Sequence, residues 1–292
     1  EIMNKKICAL VLAFILAVGM YSGFVGEAES VRKNYGLTVS SDGTIMMDGK
    51  PFYGYGINGY MICMSLFQDP FYDYAEAFAT MKKYNVAFIR LALSGGSSAD
   101  FALYQNDPET YFAVIDKVVA EAEKQQVGII ADITWGYSFV GGLFGEQAYK
   151  IGDPSSRSYK FAMQYTEDVV KRYKDSPAIF GWEISNELNL ICDLYGDAGW
   201  TPTMFSDNAI AKPNGFDHVT GREIQTFMKG TGEAIRRQDS YRLISNGNGI
   251  VRGNAKNLLM ASDKMDADHT WKVSWTADTL AEFYEMNAFF AP

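Results

Sequence analysis

Histidine and cysteine are scarce in this chain, and basic residues are outnumbered. Two histidines, His218 and His269, occur among 292 residues. They lie far apart and form no pair at metal-ligand spacing, so each reads as a loop or surface residue and no metal site is expected. Of three cysteines, Cys8 falls in a segment expected to be removed. Cys63 and Cys192 read as buried thiols, although an oxidising compartment would permit them to pair. Lys and Arg number 26 against 35 Asp and Glu, a net charge of −9. That balance argues against nucleic acid and anionic membrane surfaces as partners and leaves a neutral substrate open. Phosphate-loop and dinucleotide glycine patterns are also missing, so no cofactor is expected.

Long apolar runs are equally rare; there is one. Lys5 and Lys6 precede an uncharged stretch from Ile7 to Gly26, most apolar between Ile7 and Met20. Gly26 and Ala28 then stand at the −3 and −1 positions of a cleavage site before Glu29. This is the three-part pattern of a secretory signal peptide. A retained anchor is the alternative, because a run of about 20 residues can just span a bilayer. Gly19, Ser22 and Gly23 weaken the far half of such an anchor, and no cysteine follows for lipid attachment. Residues 1–28 are therefore read as a signal peptide and residues 29–292 as one secreted domain, free of the membrane after cleavage.

The rest of the chain repeats one pattern, an apolar strand followed by an amphipathic helix. Asp42-Gly43 and Asp48-Gly49 bracket Thr44 to Met47 as a small hairpin. Buried strands are expected at Phe52–Ile57, Val86–Leu93, Val127–Ile133, Ala178–Ile184 and Arg242–Asn246. Helices are expected at Tyr74–Tyr84, from Asp107 to Gln126, at Tyr159–Tyr173 and at Arg222–Gln238. Thr134 to Arg157 and Leu188 to Thr220 read as long loops. Near-continuous apolar strands alternating with helices mean a parallel sheet covered on both faces, either doubly wound or a (β/α)8 barrel. Polar residues gather at the strand C-terminal ends: Asn58, Ser94, Thr134 with Trp135, Asn186 with Glu187, and Asn246 with Asn248. A barrel brings those ends to one face, so the α/β TIM barrel is the expected fold.

The most informative segment is Gly181-Trp182-Glu183-Ile184-Ser185-Asn186-Glu187-Leu188. Glycoside cleavage needs one carboxylic acid beside the leaving oxygen and a second carboxylate across the bond. A glutamate at a strand end is rigidly placed yet open to substrate, and burial against Trp182 or Trp135 would raise its pKa. The segment resembles the strand-four signature of the clan of retaining glycosidases that includes glycoside hydrolase family 5. Phe52 to Asn58 resembles that group's first strand, Phe88-Ile89-Arg90-Leu91 its second, and Gly128 to Asp132 its third. The likeness runs over residues 37 to 260.

The resemblance implies that Glu187 is the catalytic acid/base and that Asn186 binds the sugar 2-hydroxyl. Arg90 would sit under the site and keep the nucleophile ionised, and with Asn58 at the end of the first strand it is counted among the expected substrate-binding residues. Glu183 reads as a barrel-interior partner for a cation, too deep to be the acid. Trp135 and Tyr137 are either a sugar platform or loop packing. The implied activity is endo-acting hydrolysis of a β-glucan or β-mannan, with a polysaccharide or oligosaccharide as partner; the alternative is a non-catalytic sugar-binding barrel. Two features depart from the family pattern. Thr134-Trp135 stands where many members carry histidine. Five strands starting near 53, 86, 127, 178 and 242 account for five βα units, whereas eight at that spacing need about 430 residues. The nucleophile glutamate of strand seven is expected beyond these residues, because Glu282 and Glu285 lie in a helical-looking stretch. If the leader reading holds, N-terminal sequencing of the exported protein will give a start near Glu29. A membrane-bound chain still beginning at Met3 would show that the segment is an anchor.

Overall fold

The computed structural model describes residues 35–135, 142–190 and 219–249. The leader, Tyr137, Cys192, both histidines, Glu282 and Glu285 lie outside the described residues. The first elements form a three-stranded antiparallel sheet, β1 (Leu37–Val39), β2 (Ile45–Met47) and β3 (Lys50–Pro51). Asp48 and Gly49 both have positive φ, 50° and 73°, which a two-residue turn between twisted strands demands. The expected hairpin is thus present, with a third strand added before it.

A five-stranded parallel sheet follows, in the order β4 (Gly56–Asn58), β5 (Phe88–Ala92), β6 (Gly128–Asp132), β7 (Ile179–Glu183) and β8 (Leu243–Ser245). Strand order follows chain order, as successive βα units require. Helices α1 (Ile62–Gln68), α2 (Tyr74–Lys83), α3 (Ser98–Asn106), α4 (Pro108–Gln125), α5 (Arg157–Tyr173) and α6 (Gly221–Gln238) connect them. Two of these, α1 and α3, are additional to the sequence expectation. Helix α3 has a signal in hindsight. Ser97 accepts from the Asp100 amide while Asp100 returns a bond to the Ser97 amide, a reciprocal cap readable as Ser-x-x-Asp. Its apolar residues make no stripe, so periodicity does not reveal it. Short 3-10 turns at Ala148–Gly152 and Leu188–Leu190 interrupt the two segments read as loops.

The longer helices begin where chemistry stops their free amides from being orphaned. Asp107 accepts from the Thr110 amide ahead of Pro108 in α4, Ser156 from the Tyr159 amide in α5, and Thr220 forms a capping box with Glu223 in α6. Strand alternation then divides the sheet into two faces. Ile89, Leu91, Ile129, Ala131, Trp182 and Ile184 are buried on the helix side with Phe78, Ile115, Val169, Ile224 and Phe227. Each large side chain so buried contributes about 1.5–3 kcal/mol relative to exposure. The opposite face carries Asn58, Arg90, Asp132, Glu183 and Ser245, matched through the registers Asn58↔Arg90, Ala92↔Asp132, Asp132↔Glu183 and Glu183↔Ser245. Cys63 is a free, fully buried thiol.

Below β7 and β8 the chain is closed by a buried ion pair. Arg242 donates to Asp239 Oδ2 at 2.6 Å, to the Ile179 carbonyl at 3.0 Å and to the Ser176 carbonyl at 3.2 Å. The Trp182 indole donates to the same Asp239 oxygen at 2.8 Å. Burial alone would raise the Asp239 carboxyl; Trp182 and Arg242 outweigh it and hold it below the usual carboxylate range. Gly36, at φ 85°, lies against this plug, where a Cβ would stand 2.5 Å from the Ile179 carbonyl and 2.8 Å from Arg242 Nε. Arg242→Ala takes from Asp239 its buried cation and from two carbonyls the guanidinium donor, leaving Asp239 the Trp182 indole and backbone amides. A loss of about 3–5 kcal/mol is expected in urea denaturation. The Asp239 contribution is present above the unfolded carboxylate value of about 3.9 and is lost as pH falls through the lowered folded value. A loss under about 1 kcal/mol would show that the plug is dispensable.

Candidate active site

The carbonyl ends of the strands are tied to one another before any site residue is placed. The Gly59 amide donates to the Arg90 carbonyl, Leu93 to Asp132, Ile133 to Glu183, and Ile184 to Ser245. Beyond β7 the chain leaves the ladder at Asn186, and Glu187 takes a positive φ of 51°. Its amide is anchored on the Gly247 carbonyl at 2.9 Å. Gly247 itself has φ 70°, and a Cβ there would lie 1.8 Å from the Ser185 carbonyl and 2.9 Å from Glu183 Cδ. Only glycine permits that approach of the loop after β8 to the end of β7. The two loops together aim Glu187, a half-buried side chain.

Arg90 lies at the centre of the inward face, with 24% of its side chain exposed. Its Nε donates to Glu183 Oε1 at 2.7 Å, and Nη2 stands 2.5 Å from the same oxygen. Nη2 also donates to Asn186 Oδ1 at 3.0 Å. The reading of Glu183 as an interior partner for a cation is therefore correct, and that cation is Arg90. A guanidinium is only a donor, so it fixes which end of the Asn186 amide faces it. The oxygen points down to Arg90 and the NH2 points away, available to donate.

Trp135 stacks on Tyr60, ring centroids 4.5 Å apart and planes 3° apart, and Arg90 Cζ lies 4.7 Å from its ring centroid. The ring is thus packed within the site. Tyr60, not singled out from sequence, is 37% exposed and is the more accessible ring of the pair. Its signal was its position two residues after Asn58 at the strand end. Asn58 is exposed and stands opposite Arg90 in the register. Thr134 is buried; its amide donates to Asp132 Oδ1 at 3.1 Å, its hydroxyl to the Ile184 carbonyl, and its carbonyl accepts from the Ser185 hydroxyl at 2.8 Å. Ser94 is also buried, and the Asn248 amide donates to Asn246 Oδ1 at 2.9 Å. One neighbour expected for Glu187 needs correction. Trp182 faces the helices and bonds Asp239, because its parity along β7 is opposite to that of Glu183.

Asp132 was legible as the end of the third strand but was not assigned to the site. It is fully buried on the same face as Arg90 and Glu183. Among the described residues, no group of three or more His, Cys, Asp or Glu is placed to hold a metal ion. No described helix is long and apolar enough to cross a membrane.

The chain is similar to known proteins. Residues 46–278 fit the model of the Cellulase (glycosyl hydrolase family 5) family. The probable mannan endo-1,4-beta-mannosidase C of Aspergillus terreus is 25% identical over 204 residues, 59% of this chain and 48% of that protein. Mannan endo-1,4-beta-mannosidase 1 of Oryza sativa subsp. japonica is 26% identical over 211 residues, 64% of this chain and 48% of that protein. The chain spans about half the length of the curated relatives it matches. The solved endo-1,4-beta-mannanase from Rhizomucor miehei superposes with a TM-score of 0.54 at 20% identity, covering 84% of this chain and 67% of that one. At that identity the likeness speaks for the fold, which is that of a TIM barrel; the described residues supply five of its strands and the helices that connect them. The family model covers most of the chain and both sides of the Arg90–Asn186 contact, and the protein belongs to glycoside hydrolase family 5.

Proposed function

We propose that the protein is a retaining, endo-acting glycoside hydrolase of β-linked polysaccharide, with Glu187 as its acid/base. The observation that carries this reading is the Asn186–Glu187 pair at the end of β7, with Asn186 clamped by Arg90. Mannan is the substrate proposed first, because the relatives cited above are named for it; β-glucan is the second. The leader motif supports export to the outside of the cell as the place of action.

In the proposed reaction Glu187 gives its proton to the glycosidic oxygen as the bond to the anomeric carbon breaks. A carboxylate on the opposite face bonds to that carbon, and Glu187 then takes a proton from the water that displaces it. The outward NH2 of Asn186 donates to the sugar 2-hydroxyl, a contact that strengthens as positive charge develops on the ring. Arg90 supplies a fixed positive charge beneath the site. Tyr60 and Trp135 offer a ring surface against which an apolar sugar face packs. Retention needs the two carboxyl groups about 5–5.5 Å apart. The described inward-facing carboxyls other than Glu187 are Asp132 and Glu183, which are buried around Arg90 and leave no room for a sugar between them. The nucleophile is therefore assigned to a residue outside those described.

In the complete enzyme, Glu187→Gln is expected to lower turnover on mannan by about 10²–10⁴-fold. Aryl glycosides with good leaving groups need little proton donation and should lose less in the first step. Turnover on the polysaccharide close to that of the parent would remove Glu187 from the mechanism and favour a protein that only binds sugar. A second experiment concerns the nucleophile. Residues 29 to 292 expressed alone and assayed on mannan and glucan beside the complete gene product are expected to show no hydrolysis. Robust activity would place the nucleophile inside these residues.

A further inference from the structure

Asp132 presents a problem in electrostatics. Its side chain has no exposed surface. Its Oδ1 accepts from the Thr134 amide at 3.1 Å. Its Oδ2 finds no donor in the protein, and Arg90 Nη2 lies 3.7 Å away, beyond hydrogen-bonding distance. That same Nη2 stands 3.0 Å from Asn186 and 2.5 Å from Glu183. A buried carboxylate oxygen beside a guanidinium should capture a donor from it; this one does not. Across the register its neighbour is Glu183, a second carboxyl on the same face of the sheet. Both Arg90 contacts to Glu183 fall on Oε1, so the other Glu183 oxygen lies outside the clamp. Two facing carboxyl groups with one cation between them are stable when one of the two is protonated.

We propose that Asp132 is a neutral carboxylic acid in the folded protein, that its Oδ2 donates to the Glu183 carboxylate, and that it is a positioning residue for the Arg90–Asn186 contact. A charged Asp132 would compete with Asn186 for Nη2. A neutral one leaves Nη2 to the Asn186 oxygen, and so keeps the Asn186 NH2 turned toward the substrate. The proton also balances the layer, with one positive charge on Arg90 and one negative charge on Glu183. The groups that face Asp132 agree with this assignment. Burial raises its carboxyl most, Glu183 on β7 raises it further by charge and by hydrogen bonding, and Arg90 on β5 and the Thr134 amide oppose them without prevailing. The other inward-facing residues of the layer, Asn58 on β4 and Ser245 on β8, carry no charge.

The protonation state rests on the described geometry alone; the effect on turnover rests on the proposed hydrolase activity. The two can be tested apart. Asp132→Asn keeps the shape and a donor but cannot ionise. Thermal unfolding of the purified chain and of this variant is followed from about pH 4 to about pH 8. A carboxyl raised by folding gives wild type a contribution that is whole below the unfolded value and lost as pH rises toward the folded one. The melting temperature of Asp132→Asn should therefore gain on wild type as pH rises. Wild type gaining on the variant would mean an ionised Asp132 paired with Arg90, and would overturn the proposal. Should the variant not fold, infrared spectra of wild type with isotopically labelled aspartate decide the point. A protonated-carboxyl stretch persisting at neutral pH supports the proposal, and its absence overturns it. In the complete enzyme, Asp132→Ala should lose about tenfold more in kcat than Asp132→Asn, because only the latter still donates to Glu183. Equal losses would overturn the positioning role. Failure of all forms to hydrolyse glycan would instead count against the hydrolase reading, with the unfolding curves still deciding the protonation.

Discussion

The guanidinium of Arg90 is the contact on which the site depends. It is placed on the inward face of β5 by strand parity, one residue out of phase with the buried Ile89 and Leu91. From there it reaches across the sheet to Glu183 on β7 and up to Asn186 beyond the end of that strand. Each partner answers a different need. Glu183 compensates the charge, without which a mostly buried cation would be costly. Asn186 uses a remaining N–H and in return is held in one orientation. The planar fork of arginine can serve both at once, and lysine at this position would supply the charge without the geometry.

Two loops carry the chain from that buried anchor to the half-buried side chain of Glu187. The chain turns out of the sheet at Asn186, and Glu187 adopts a backbone conformation that non-glycine residues avoid. The strained turn persists because its amide is held by Gly247, which can approach only because it lacks a side chain. Strain of this kind is tolerated where surrounding structure over-determines it. At the opposite end of the same two strands, the Arg242–Asp239–Trp182 cluster fixes their relative height. The sheet thus carries an ion pair at each end. The lower one is sealed among carbonyls and an indole and serves stability. The upper one is left partly open, with 24% of the Arg90 side chain exposed.

Much of the fold was visible in the chain because the signals were local. Apolar runs of strand length, Pro108 after Asp107, and amphipathic stripes over 108–125, 157–173 and 221–238 placed elements within a few residues of their positions. The first inner strand is shorter than the apolar run: Gly56–Asn58 forms the ladder with β5, with the Ala87 amide donating to the Tyr55 carbonyl just before it, and Asn58 is the last strand residue. Helices α1 and α3 carried too weak a periodicity to register. At the site, the positions of Arg90 and Glu183 were legible because each sits on a strand whose face can be counted, whereas the Asn186–Glu187 pair beyond β7 stood out through its likeness to a family signature. Tyr60 was not, because stacking on Trp135 joins two loops that are remote in sequence.

The sequence by itself determined the alternation of strands and helices, the polar layer at the strand ends and the identity of the acidic residue beside Asn186. These follow from period, parity and residue chemistry, which act over a few positions at a time. Tertiary structure decided which groups share a proton, a charge or a face. Trp182 turned to the helices, the Asn186 amide acquired a direction, and Asp132 came to lie across the register from Glu183 with one oxygen, Oδ2, lacking a donor. The reason is physical: charge interaction and desolvation depend on distances between strands, and the register that sets those distances is a property of the assembled sheet.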